Sequence, residues 1–192
     1  MGKVKLQMQM TINGYVGGAN GENNWMTWNP DAEFITFLIS LLDTSGTLLL
    51  GRKTAENIIK YWEHEADQNP AHPFAKKIAA LPKVVFTKTL NKSTWNNTTL
   101  AKGNLTDEIT SLKKQNGKDI LVFGGAGFVS SLIKEELIDE YHLIVNPTAM
   151  GNGMTIFNSL NGIQKFTPIG TKLYPGGKIV LSYKPENNLN GE

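Results

Sequence analysis

The sequence predicts an α/β fold of three layers, with helices on both faces of a mainly parallel sheet and an antiparallel hairpin at its C-terminal edge. Three observations predict it. Strand-like and helix-like segments alternate through most of the 192 residues, as in a sheet linked by crossover helices. Thr47 to Leu50 is a continuous apolar run ending at Gly51, typical of a strand buried on both faces. The last two strand candidates are joined through Pro175-Gly176-Gly177, a hairpin turn.

The elements follow in order. Lys3 to Met10 sets Val4, Leu6, Met8 and Met10 against Lys and Gln, which reads as a half-buried strand. Asn13-Gly14, Gly17-Gly18 and Asn20-Gly21 then make a loop with the freedom to move. Asn29-Pro30-Asp31 opens a helix to about Asp43, with Phe34, Phe37, Leu38, Leu41 and Leu42 at helical spacing. After the strand at 47–50 comes a helix over about Lys53 to Tyr61, and the polar, Pro-containing stretch from Glu63 to Pro73 reads as a loop. A short helix (74–80), a strand (83–87), a weak strand (98–102) and an amphipathic helix ending near Asn116-Gly117 come next. A strand from Asp119 to Phe123 leads through Gly124 to Gly127 into a helix reaching about Glu136, and Ile138 to Asn146 is a long strand closed by Pro147. The hairpin pairs 164–174 with 179–183. One domain over residues 1–184 and a frayed tail over 185–192 are expected.

Composition excludes several classes. The chain is 40% hydrophobic and 19% charged, with a formal charge of +2 and no cysteine. A disulfide scaffold, a thiolate metal site and a cysteine nucleophile are ruled out. The charge balance lacks a nucleic-acid footprint, and no apolar run approaches the ~20 residues of a membrane span. A cytoplasmic protein acting on a small molecule, without nucleic acid, membrane or metal, is the expectation. Among 19 basic residues only Arg52 is an arginine, which marks a place where a planar, bidentate donor is wanted.

Three turns at expected strand ends carry the chemistry, because ligands of open α/β sheets gather where strand ends meet helix N-termini. Gly51-Arg52-Lys53-Thr54 offers a close-approach glycine, two cations and a hydroxyl. Thr87-Lys88-Thr89 flanks a cation with hydroxyls. Gly124-Gly125-Ala126-Gly127, followed by Phe128, lets backbone N–H groups converge on an anion. Each has a plainer alternative: a basic surface turn, a solvated turn, and glycines needed only for helix–strand packing. A Rossmann fingerprint is disfavoured, since Ser130 stands at the third glycine position and Asp139 and Glu140 come too early. His64, His72 and His142 have no metal-like partners, and no nucleophile elbow or Walker lysine motif is present. Asp31 and Glu33 are the carboxylates near the flexible loop with Trp25 and Trp28, and capping is their ordinary role.

Taken in order, these residues resemble the dihydrofolate reductase superfamily, in its bacterial branch related to the C-terminal reductase domain of RibD. The resemblance runs through Met10-Thr11-Ile12-Asn13-Gly14-Tyr15-Val16, Gly51-Arg52-Lys53-Thr54, the segment from Pro82 to Leu90, the segment from Asp119 to Ala126, and Leu137-Ile138-Asp139-Glu140 with Pro147 and Gly151-Asn152-Gly153. It implies a dihydrofolate reductase-like fold and NADPH as cofactor, held by Gly51, Arg52, Lys53, Thr54, Thr87, Lys88, Thr89, Gly124, Gly125, Ala126, Gly127 and Phe128. Arg52, Lys53 and Lys88 would meet the 2′-phosphate. Asn13, Trp25 and Phe37 would line the substrate, with Glu33 as general acid or water-orienting partner and Asp31 as competitor. Since no arginine besides Arg52 is available to clamp a glutamate, the implied substrate is a small heterocycle, carbonyl or imine other than dihydrofolate. The alternatives are an NADP(H)-binding protein without activity, the riboflavin-pathway 5-amino-6-(5-phosphoribosylamino)uracil reductase, and a flavin- or other nucleotide-using enzyme. Family analogy implies a homodimer.

Overall fold

The computed structural model describes residues 1–26, 30–115 and 117–186; Trp28, Asn116 and the segment from 187 to 192 lie outside the described residues. The chain runs β1 (Val4–Thr11), α1 (Ala32–Thr44), β2 (Ser45–Gly51), α2 (Arg52–Gln68), α3 (Pro73–Ala80), β3 (Lys83–Phe86), β4 (Thr98–Ala101), α4 (Leu105–Gln115), β5 (Asp119–Val122), α5 (Ala126–Lys134), β6 (Glu140–Asn146), β7 (Phe166–Leu173) and β8 (Ile179–Pro185). One sheet holds the strands in the order β4-β3-β2-β5-β1-β6-β8-β7. Pairing is parallel from β4 through β6, and β8 and β7 add an antiparallel edge.

Alternation along the strands divides the core in two. Leu48, Leu50, Val85, Leu121 and Ile144 face α1, α2 and α3, where they meet Phe34, Leu38, Ile59 and Phe74. Leu6, Leu49, Val84, Ile120 and Val122 face α4 and α5, where they meet Ile109, Val129 and Leu132. Each such side chain contributes roughly 1.5–3 kcal/mol by leaving water. The three-layer arrangement with its antiparallel edge is the expected one.

Two local expectations change. The helix expected to end near Tyr61 continues to Gln68, because Ile59, Trp62 and Ala66 keep helical spacing beneath a polar outer face and pack into the core. His64 is therefore helical, and only residues 69–72 remain as a loop before Pro73 starts α3. His72 caps that helix, its Nδ1 accepting from Ala75 N–H. The second change concerns β1. The alternating pattern predicts a strand with one face in water, yet β1 lies between β5 and β6 in the middle of the sheet, and Gln7 is only 6% exposed.

At the amino ends of the strands, carboxylates tie the sheet together. Asp139 accepts from Val4 N–H at 2.7 Å and pairs with Lys113 at 2.6 Å, while its own N–H donates to Val4 O. Asp119 accepts from Lys3 N–H and pairs with Lys5 at 2.6 Å. Burial pushes the Asp119 carboxyl up, but Lys5 and the Lys3 N–H outweigh it and hold it below the usual range. The Asp139 of the Leu-Ile-Asp-Glu segment is thus a brace for β1. Asp139→Ala would leave the buried Val4 N–H unpaired, which costs about 1–3 kcal/mol. Urea unfolding should show that loss as a lower midpoint at unchanged slope.

Candidate active site

The strand order decides where the three turns meet. β3, β2 and β5 are consecutive neighbours running parallel, so the turns after Phe86, Gly51 and Val122 leave the same rim side by side. Turns one and three touch. Gly51 N–H donates to Gly124 O at 3.2 Å, and a Cβ on Gly51 would come within 2.8 Å of the Phe128 Cβ. A Cβ on Gly125 would lie 3.1 Å from Thr54 Oγ1 and 3.4 Å from the Gly51 Cα. Gly125 also takes φ of +99° and Gly124 +115°, a region that favours glycine.

Both helices that start here do so without a side-chain cap. Gly51 and Gly125 occupy the N-cap positions of α2 and α5, and neither first turn holds an acid. Among the described residues, the first-turn N–H groups and the positive helix ends therefore face the rim without a capping side chain or a first-turn acid to neutralise them. Phe86 stacks on Phe128 at 4.9 Å between centroids, which locks the end of β3 to the start of α5. In the middle turn Thr87 Oγ1 accepts from the N–H groups of Thr89 and Leu90. Its hydroxyl oxygen shapes the turn, and Lys88 and Thr89 project outward, exposed. Lys53 is exposed as well. Arg52 is half-buried, its guanidinium held by Glu56 at 2.8 Å one turn on.

Beyond α5 the rim continues as a cleft of about 380 Å³ lined by Ala126, Gly127 and Ser130 on the helix and by Met154, Asn158 and Ser159 opposite. Ser130 Oγ is hydrogen-bonded to Asn158 and Ser159 at 2.8 Å each. The Gly-rich loop after β1 forms the neighbouring wall, and it is pinned. Val16 N–H donates to Met154 O and Met154 N–H to Gly17 O, both at 2.8 Å.

The residues expected around a substrate divide. The Asn13 carboxamide donates to Met150 O at 2.7 Å and accepts from Met150 N–H and the Thr11 hydroxyl, so it latches the opening turn to the segment after β6. Trp25 is buried, its indole N–H donating to Glu22 O. Phe37 packs edge-on against His142 of β6, 5.9 Å between centroids. Asp31 caps α1, accepting from Phe34 N–H at 2.8 Å and from Gly176 N–H at 3.3 Å. The Phe34 N–H above all holds its carboxyl below the ordinary range. Glu33 is exposed and pairs with Lys172 of β7 at 2.8 Å.

Sequence reasoning missed three features. The β7–β8 turn docks on the start of α1 through Gly176, with Lys178 buried 5.7 Å from the Phe34 ring. Ser130, Asn158 and Ser159 form one polar network. Gln7 and Gln9 point from the central strand toward α1. Only the glutamines left a signal, as polar residues in an otherwise apolar strand.

Comparison with known proteins agrees with this architecture. No helix among the described residues is long and apolar enough to cross a membrane. The uncharacterized protein YyaP of Bacillus subtilis is 28% identical over 94% of this chain and 94% of its own length. RibD of Acinetobacter baumannii superposes with a TM-score of 0.72 at 20% identity over 97% of this chain and 59% of that one. Dihydrofolate reductase of Enterococcus faecalis, solved with NADP(H) and RAB-propyl, superposes with a TM-score of 0.63 at 13% identity over 96% and 97%. At these identities the superpositions establish the dihydrofolate reductase-like fold. The family model for the RibD C-terminal domain matches residues 2–178, and the chain belongs to that reductase family.

Proposed function

We propose that the protein is an NADPH-dependent reductase that passes hydride to a small heterocyclic, carbonyl or imine-type substrate. The observation that carries this reading is the pair of uncapped, acid-free helix N-termini, those of α2 and α5, joined back to back through Gly51 and Gly125. Such a surface suits a pyrophosphate. Lys88, Lys53 and Arg52 beside it suit the further phosphate that distinguishes NADPH from NADH. When bound, NADPH supplies the hydride, and the protein's part is orientation and exclusion of water.

In this reading the N–H groups of α2 and α5 hold the diphosphate, Thr54 and Thr89 add hydroxyl donors, and Phe128 with Phe86 gives an apolar wall. Glu33 handles the proton at the substrate. Asp31 is held as an anion by the N–H groups it accepts from, so its part is to position α1. The resemblance to a reductase complexed with NADP(H) supports the cofactor, and membership of the RibD C-terminal family supports a small-molecule substrate. A homodimer belongs to the same reading, supported by Leu173 and Ile179, paired across the β7–β8 hairpin and both exposed.

Calorimetric titration should give NADPH about ten- to hundred-fold tighter binding than NADH, since hydrogen bonds to charged groups contribute about 1.5–3 kcal/mol. Lys88→Ala and Arg52→Leu should each shrink that ratio without lowering the melting temperature; equal affinity for both cofactors in the parent protein refutes the phosphate contacts. Glu33→Gln should lower turnover by about a hundred-fold, the usual contribution of a positioned acid, and leave NADPH affinity intact. Unchanged turnover removes Glu33 from the chemistry. NADPH binding with no oxidation across a panel of heterocyclic and carbonyl acceptors would favour the non-catalytic alternative.

A further inference from the structure

A helix start has a preferred sign of charge. Its positive end favours acids and disfavours cations, and an ion pair four residues apart supports a helix best when the acid is on the N-terminal side. α2 breaks both preferences. Arg52 is its first residue and no acid stands in its first turn. The guanidinium partner is Glu56, four residues further into the helix, with Arg52 Nη1 donating to Glu56 Oε1 at 2.8 Å. The pair runs against the dipole on which it stands.

Nor does the fold depend on it. The two side chains keep 34% and 40% of their surface in water, and ion pairs exposed to that degree add little to stability. A plain positive charge is available to this chain as lysine, which it uses next door at Lys53 and at every basic position but this one. What arginine adds is a planar fork of five N–H donors in fixed geometry.

The direction of the fork follows from the helix. Helical side chains lean toward the N-terminus, so Arg52 covers the end of β2, at the rim where Gly51 meets Gly124 and Gly125. Glu56 leans the same way from the next turn and meets the guanidinium from the side of the helix body. It takes Nη1. The opposite edge, Nε with Nη2, presents two parallel N–H groups, the pattern that matches two oxygens of a phosphate.

We propose that Glu56 is a positioning residue for the phosphate monoester of the cofactor: it splints the Arg52 guanidinium so that the Nε–Nη2 edge stands ready at the rim. Lys53 and Lys88 supply charge from exposed positions, and Arg52 supplies direction. Because the carboxylate offsets the charge of Arg52, the pair selects by the fit of a tetrahedral anion to a fixed fork more than by bulk attraction. The advantage is entropic, since an arginine that rotates freely must be ordered when the ligand arrives. This inference rests on the NADPH reading and adds to it a residue that touches no ligand.

The single arginine gives the test a readout that needs no cofactor, because the protein has one Arg Nε–H and hence one such correlation in a proton–nitrogen NMR spectrum. In the apo protein its heteronuclear NOE should be high, as for an ordered group, in the parent and in Glu56→Gln, whose amide oxygen still accepts from Nη1. It should be low in Glu56→Ala. Calorimetry should show NADPH bound about three- to ten-fold more weakly by Glu56→Ala than by the parent, the effect of ordering one long side chain. Glu56→Gln should bind NADPH at least as tightly as the parent, and NADH affinity should stay within about two-fold in all three. In an Arg52→Leu background Glu56→Ala should have no further effect on NADPH, as expected of a residue that acts only through Arg52. Melting temperatures should agree within about two degrees, as for an exposed pair.

A low NOE in the parent, NADPH affinity unchanged in Glu56→Ala, a Gln variant no better than the Ala variant, or an effect that persists without Arg52 overturns the proposal. So does a fall in melting temperature that weakens both cofactors alike, which assigns the pair to the helix. A parent that binds NADPH and NADH equally defeats the phosphate reading and this inference with it, whereas a parent that prefers NADPH and is indifferent to Glu56→Ala defeats this inference alone.

Discussion

The rim is organised by the contact between two backbones, Gly51 at the end of β2 and Gly125 at the start of α5. A methyl group at either position meets a neighbour at 2.8–3.1 Å, and side chains this close must move or push the elements apart. The contact fixes the distance between two helix N-termini and thereby the spacing of two sets of unpaired N–H groups. The Gly51 N–H to Gly124 O bond reinforces that contact, and the Phe86–Phe128 stack holds the turn after β3 in the same frame. Everything argued about an anionic cofactor depends on that spacing, because helix N-termini reinforce one another only when one ligand can reach both.

The same rim is asymmetric in chemistry. On the side of β3 it offers cations and hydroxyls on an exposed surface. On the side of β6 it offers amides: Asn13 and Asn146 are tied to backbone or to Gln9. Charge recognition and neutral polar recognition are thus separated by the width of β2, β5 and β1. Under the proposed function, a cofactor carrying phosphates at one end and a redox-active ring at the other would span that gradient, with its anionic end on the exposed side of β3.

How far the sequence discloses this depends on the range of the information needed. The turns were legible because glycine pairs, a lone arginine and hydroxyls act through local backbone chemistry. The three-layer class was legible from alternation. Strand order was not: β1 pairs with β5 and β6, more than a hundred residues away, and no local pattern reports it. That is why Gln7 and Gln9 read as solvent-facing. Period-two alternation arises equally from water on one face and from a polar floor beneath a helix, and only the neighbours tell them apart. The extension of α2 was hidden for a related reason, since Glu63 to Gln68 is polar in composition while Trp62 and Ala66 keep the buried stripe. Asn13 is expected beside the substrate from its place in the opening turn, and no local pattern reports that its carboxamide also bonds Met150.

The carboxylates at the start of α1 show why residue type alone does not assign chemistry. Asp31 and Glu33 are two positions apart, yet the helix uses them differently. Asp31 stands before the first turn, where its oxygens accept N–H groups from both α1 and the β7–β8 turn; these bonds favour its ionised form and weaken it as a proton donor near neutrality. They also join two distant segments, the hairpin tip and the start of the helix. Glu33 lies one step into the turn and reaches Lys172, a partner that the hairpin supplies. Lys172 in turn lies 5.0 Å from the Tyr174 ring, whose edge meets Phe34. The proton-handling group of the proposed reaction is therefore oriented by the hairpin that Asp31 anchors, and a capping residue acts on the chemistry through geometry without touching the reacting atoms.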